Sequence, residues 1–107
     1  MGVFLKEKKV TVSSAGTAVQ VDSTLKVPSV IITAGPNNSG TVYVGSSLTD
    51  SSTQLGQPLS ANESLEIDPP SQFGTEEQID LTKVYVDSTV SSDIVIVSYY
   101  VREGGSA

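Results

Sequence analysis

Apolar and polar residues alternate over short windows of this chain, and clusters of Gly, Pro, Asn, Asp and Ser separate those windows. Alternation of period two is the mark of a half-buried strand. Val3 to Val12 is a first strand, clearest at Lys8-Lys9-Val10-Thr11-Val12. Thr17 to Val21 is a second, with Thr17, Val19 and Val21 sharing a face. Val27 to Thr33 is a third, with Pro28 near its start because proline cannot donate to a ladder. Its Val30-Ile31-Ile32 run belongs in the core. Gly35-Pro36-Asn37-Asn38-Ser39-Gly40 is a turn cluster that runs into Thr41-Val42-Tyr43-Val44-Gly45. There Val42 and Val44 point one way, Thr41 and Tyr43 the other.

Two long polar stretches interrupt the later strands. Ser46 to Pro58 carries Leu48 and Leu55 as its only large apolar groups. Asp68 to Gln78 opens on Pro69-Pro70 and holds Phe73. Both are expected to be surface loops or contact elements. Between them lies Glu63 to Ile67, with Leu65 and Ile67 inward. Ile79 to Asp87 follows, with a register change expected near Leu81 or Val84. Ile94 to Val101 is the last strand and the most apolar. No window has helical periodicity beyond one turn at Thr75-Glu76-Glu77-Gln78. The expected fold is a single all-β domain over residues 1–107, an antiparallel β-sandwich or jelly-roll-like barrel of about seven to eight strands. An N-terminal arm over 1–6 and a Gly/Ser-rich tail over 102–107 flank it.

Composition reinforces this reading and narrows the chemistry. Fifteen Val stand against two Phe and no Trp, and Ser and Thr together supply twenty-seven residues. β-Branched side chains suit a pleated surface, and hydroxyls suit its wet face. Cys and His are both absent. Disulfides, thiolate metal sites and His-based general-base mechanisms are therefore excluded. The net charge of −6 works against binding a phosphate backbone. That charge is uneven: Lys6, Lys8 and Lys9 less Glu7 give +2 in the first ten residues, leaving −8 for the rest. The early apolar run Val3-Phe4-Leu5 is too short for a signal peptide or a membrane span.

Carboxylates are the remaining acid–base candidates. Glu66 and Asp68 share a strand face, as a glycosidase pair would, but that face is opposite Leu65 and Ile67 and points to water. Asp22, Asp50, Asp68, Asp80, Asp87 and Asp93 are scattered singly, without the clustering calcium needs. Each is expected to accept a local backbone hydrogen bond in a turn. No catalytic, cofactor-binding or metal-binding residue is assigned. Tyr43, Tyr85, Tyr99 and Tyr100 could stack on sugar rings, so carbohydrate binding stays open. Tyr99 and Tyr100 must point to opposite faces, so one of them is outside and free to touch a neighbour.

The order of segments resembles a family of small structural proteins of tailed bacteriophages. The matching pieces are Val10-Thr11-Val12, Thr17-Ala18-Val19-Gln20-Val21, Val30-Ile31-Ile32, Asn38-Ser39-Gly40-Thr41-Val42-Tyr43-Val44-Gly45, Pro58 to Ile67, and Val84-Tyr85-Val86-Asp87. The resemblance covers roughly residues 8 to 101 as an ordered series. Asn62 stands where the family pattern has Gly, and Ala61 where it has Pro. Asn tolerates positive φ, so the turn can survive. The Asp68–Gln78 loop is longer than the pattern. The resemblance implies a non-enzymatic virion component, made in the host cytoplasm and placed on the phage head. It would be a decoration or cement protein contacting the major capsid protein and copies of itself; sites on icosahedral lattices suit a homotrimer. Neither nucleic acid nor membrane is an implied partner. Placement in a neck, tail or fibre is the alternative, the last with a carbohydrate-binding role. Candidate contact residues are Phe4, Leu5, Asn37, Asn38, Leu48, Leu55, Phe73, Tyr99 and Tyr100.

Overall fold

Alternation at Lys8–Val12 extends into a nine-residue strand, β1 (Val3–Thr11), because every residue finds a partner on β10 (Ile94–Arg102). The computed structural model describes residues 3–68 and 78–102. Residues 3–6, expected as an arm, are therefore part of a paired strand, and Arg102 opposite Val3 closes the same ladder. The loop segment 69–77, with Phe73 and most of the 75–78 turn, lies outside the described residues, as do residues 103–107 of the tail.

Among the described residues, eight shorter strands run between the two long ones: β2 (Val19–Gln20), β3 (Lys26–Val27), β4 (Val30–Ala34), β5 (Val42–Gly45), β6 (Gln57–Leu59), β7 (Ser64–Ile67), β8 (Ile79–Asp80) and β9 (Tyr85–Ser88). One sheet has the order β1-β10-β4-β7, a second β2-β9-β5-β6, and β3 pairs with β8 in a small third. All pairings are antiparallel.

The order has a simple origin. With β3 and β8 set aside, the chain is one long hairpin whose tip is β5–β6. Moving outward, β4 pairs β7, β2 pairs β9 and β1 pairs β10. Successive pairs fall alternately in the second and first sheets, so the ribbon wraps around itself. That arrangement is a jelly roll. The two sheets enclose one core. Val10, Val30, Ile32, Ala34, Val95 and Val97 come from the first, Val42, Val44, Leu59 and Val86 from the second. Leu65 and Ile67 are partly buried against it, as their alternation requires.

Three departures from the sequence reading have local causes. The third strand divides at Pro28: Val27 pairs Ile79 in the small sheet, and Val30 restarts the ladder against Tyr99. The sixth divides at a 3-10 turn, Leu81–Lys83, where Asp80 Oδ1 accepts from the Thr82 N–H at 3.0 Å. The turn puts Leu81 in the core and resets the register for Val86. Finally, the 46–58 stretch ends inside strand β6, which takes in Gln57 and Pro58. It lies at the outer edge of its sheet, which is where a strand can accept Pro58.

Candidate contact surface

Two buried carboxylates fix the loops that frame the surface. Asp87 lies on the outer face of the second sheet and is fully buried. Its Oδ1 accepts from the Gly16 N–H at 3.0 Å and the Ser88 N–H at 2.8 Å, and its Oδ2 from the Ser51 N–H at 2.7 Å. One side chain thus holds both the β1–β2 turn and the 46–56 loop against the sheet. Asp93 does the same for the 35–40 loop: its Oδ1 accepts from the Ser39 N–H and its Oδ2 from the Gly40 N–H and the Ser88 hydroxyl. These two aspartates bridge distant segments rather than closing local turns as expected. Asp22, Asp50 and Asp80 do accept from residues two positions on.

The 35–40 loop is further pinned by Asn38. Its Nδ2 donates to the Ile94 carbonyl at 2.7 Å, and its Oδ1 accepts from the Ile94 N–H at 2.9 Å. The side-chain amide pairs with Ile94 as a neighbouring strand would. Asn38 is thereby committed inside the fold, while Asn37 stays exposed at the loop tip.

The remaining contact candidates divide by position. Leu5 lies opposite Tyr100 across the β1–β10 ladder, so both side chains share the outer face of the first sheet. Phe4 points to the other face. β4 pairs β10 only over Val95 to Tyr99, so this end of the ribbon runs past its neighbour, and Phe4, Leu5 and Tyr100 are each about half exposed. Tyr99 turns into the core. The expectation that one of the adjacent tyrosines faces out is met by Tyr100. Leu48 and Leu55 project from the 46–56 loop, Leu48 at 74% exposure. That loop is closed by paired Asp50–Leu55 backbone bonds. Val90, at the β9–β10 turn, is also exposed. Sequence reading missed it because a lone Val beside a strand resembles a core residue.

Tyr43 is buried on the same outer face as Asp87, covered by the 46–56 loop, and cannot stack on a sugar. A polar depression of about 360 Å³ lies instead beside Gln20, Ser46, Ser47, Thr82, Lys83 and Tyr85. Gln20 Nε2 is held there by the Thr82 carbonyl at 2.9 Å. Glu66 and Asp68 are exposed, on the water side of β7. No group of three or more acidic, His or Cys side chains that could hold a metal ion occurs among the described residues.

One pair carries a distinct charge interaction. Lys8 Nζ donates to Asp22 Oδ2 at 2.8 Å, holding β1 to the segment after β2. That hydrogen bond, with the Thr24 N–H, draws the Asp22 carboxyl from an ordinary 3.8 down to about 2. The hydroxyls of Ser52 and Thr82 lower Asp50 and Asp80 in the same direction.

The chain matches no family model, no curated protein and no solved structure. The fold defines it as a small all-β jelly-roll sandwich.

Proposed function

We propose that the chain is a non-enzymatic structural protein of a tailed-phage virion, a decoration or cement protein that binds and stabilises the head shell. The observation that carries this reading is the placement of large apolar side chains on fixed ground. Phe4, Leu5 and Tyr100 stand on a paired ribbon, and Leu48 and Leu55 on a loop clamped by Asp87. Apolar groups held outward by a rigid frame suit docking, because little ordering entropy is lost on contact. The ordered segment resemblance points to the virion as the place of that docking. Viral capsid domains use jelly rolls, but so do lectins, so the fold alone decides nothing. Many copies on a shell would add avidity to modest single contacts.

The polar depression beside Tyr85 favours a second reading, a carbohydrate-binding module of a fibre or tail. Rebinding separates the two. Purified protein added to head shells stripped of their decoration should bind and raise the shell melting temperature. Failure to bind at any salt concentration overturns the cement reading. Binding to a host polysaccharide, lost in Tyr85→Ala, supports the second.

A further inference from the structure

We propose that copies of this chain join edge to edge through the first sheet, β1 of one copy pairing antiparallel with β7 of the next. The two strands are the outer members of the order β1-β10-β4-β7. Among the described residues no strand pairs with their outward edges, and those edges carry opposite charge. β1 has Lys6, Lys8 and Lys9 against Glu7, a net +2. β7 and its flanks have Glu63, Glu66 and Asp68, a net −3. Lys8 is engaged with Asp22, but Lys9, Glu66 and Asp68 are exposed and make no ion pair among the described residues.

Strand parity makes the join possible. In a sheet of four antiparallel strands the two edges run in opposite directions. A neighbour related by rotation about an axis along the strands therefore brings its β1 antiparallel to β7. The sheet continues across the join without a change of pairing type. Face alternation sets the register. Leu5, Glu7, Lys9 and Thr11 face outward on β1, and Ser64 and Glu66 on β7. Keeping outer faces together sets Lys9 against Glu66, or against Asp68 two residues on. The inner faces then bring Val10 to Leu65 or to Ile67, extending the core pattern over the seam.

Like-to-like pairing is disfavoured by the same charges. A two-fold β1–β1 pairing centred on Glu7 sets Lys6 against Lys8 and Glu7 against itself. A β7–β7 pairing joins two strongly acidic edges. The favoured contact is head-to-tail, and such contacts close into rings when the rotation permits. Lysines on an edge strand can also serve simply to repel partners. That role makes the opposite prediction for Lys9. The inference stands on the sheet edges and does not depend on the virion reading.

The chain has no cysteine. Lys9→Cys/Glu66→Cys and Lys9→Cys/Asp68→Cys variants of the full chain, mildly oxidised, should form mixed bridges between copies and species larger than dimers. The single-Cys variants should stop at dimers. Bridges joining like positions as often as unlike ones, or no bridges, overturn the proposal. Sedimentation supplies the second arm, on variants whose melting shows them folded. Lys9→Glu should weaken self-association at least tenfold, and adding Glu66→Lys and Asp68→Lys should restore it. Unchanged or stronger association in Lys9→Glu overturns it. Shell rebinding by monomeric Lys9→Glu is read separately, so failure here leaves the cement reading to its own test.

Discussion

Tyr43 and Asp87 lie directly opposite each other on β5 and β9, and both are buried on the face of their sheet that points away from the core. A phenol ring and a carboxylate fill a surface that the sandwich alone would leave to water. The 46–56 loop covers them, and Asp87 holds the loop there through the Ser51 N–H.

Asp87 is therefore the fold's main loop clamp. Asp87→Ala leaves the backbone N–H groups of buried Ser51 and Ser88, and that of Gly16 at the surface, without their acceptor. Bonds to a charged group contribute about 1.5–3 kcal/mol each, and they do not add fully. A loss of about 3 kcal/mol is expected in a denaturant titration. Hydrogen exchange gives the sharper signature in the milder Asp87→Asn. Gly16 and Ser51 amides should lose protection, while Val97 in the core strand keeps its own.

The 35–40 loop is equally tight. A methyl group on Gly40 would run into Thr89 Oγ1 and come within 2.8 Å of Val90 Cγ2. Gly40→Ala should cost about 1–3 kcal/mol through overpacking. Asn38→Ala, which removes both bonds to Ile94, should cost about 1–2 kcal/mol. Thermal or chemical melting measures both.

Asn62 sits at φ 73°, in the left-handed region. Asn tolerates this backbone better than other non-glycine residues. Asn62→Gly should leave stability within about 0.5 kcal/mol, whereas Asn62→Val, β-branched at positive φ, should cost about 1–2 kcal/mol. Denaturant titration of the two variants side by side measures the difference.

Acid should loosen the tie between β1 and the segment after β2. The folded Asp22 carboxyl titrates near 2, below its ordinary 3.8. A depressed carboxylate stabilises the fold fully above its unfolded value, and that contribution disappears as the pH falls toward the folded one. For a partly exposed pair the effect is about 1 kcal/mol. Stability should fall between about pH 4 and pH 2, and the slope should be shallower in Lys8→Met. An identical slope in that variant contradicts the assignment to Asp22.

The strands are legible wherever one face is wet and the other dry. The alternation at Lys8–Val12 and the mixed faces of Thr41–Gly45 identify their inward residues correctly. Thr17 is not a strand residue, because its N–H closes a turn on Ser14, and only Val19–Gln20 pairs as strand. Strand β6 is hidden in the sequence because Pro58 reads as a loop residue until its edge position is known. The roles of Asp87 and Asp93 cannot be read from the chain: their partners Gly16 and Gly40 lie 71 and 53 residues away. Of the contact candidates, Leu48, Leu55, Phe4, Leu5 and Tyr100 are legible as apolar groups in polar or terminal settings. Tyr99 and Asn38 are committed inside the fold.

Exposed leucines on a clamped loop should matter for docking and little for folding. Leu48→Ser and Leu55→Ser are expected to change stability by less than about 0.5 kcal/mol. Together they should weaken rebinding to stripped head shells at least tenfold. A large stability loss with unchanged rebinding would remove the 46–56 loop from the contact surface.

The proposed cement role is tested best by looking for this chain in an image of a tailed-phage particle, at a resolution that shows strands. A cement protein should show this jelly roll on the outer surface of the head, with Leu48 and Leu55 or the Phe4–Leu5–Tyr100 end against the shell. Density for the fold at a fibre tip, with the head surface bare of it, would rule that role out.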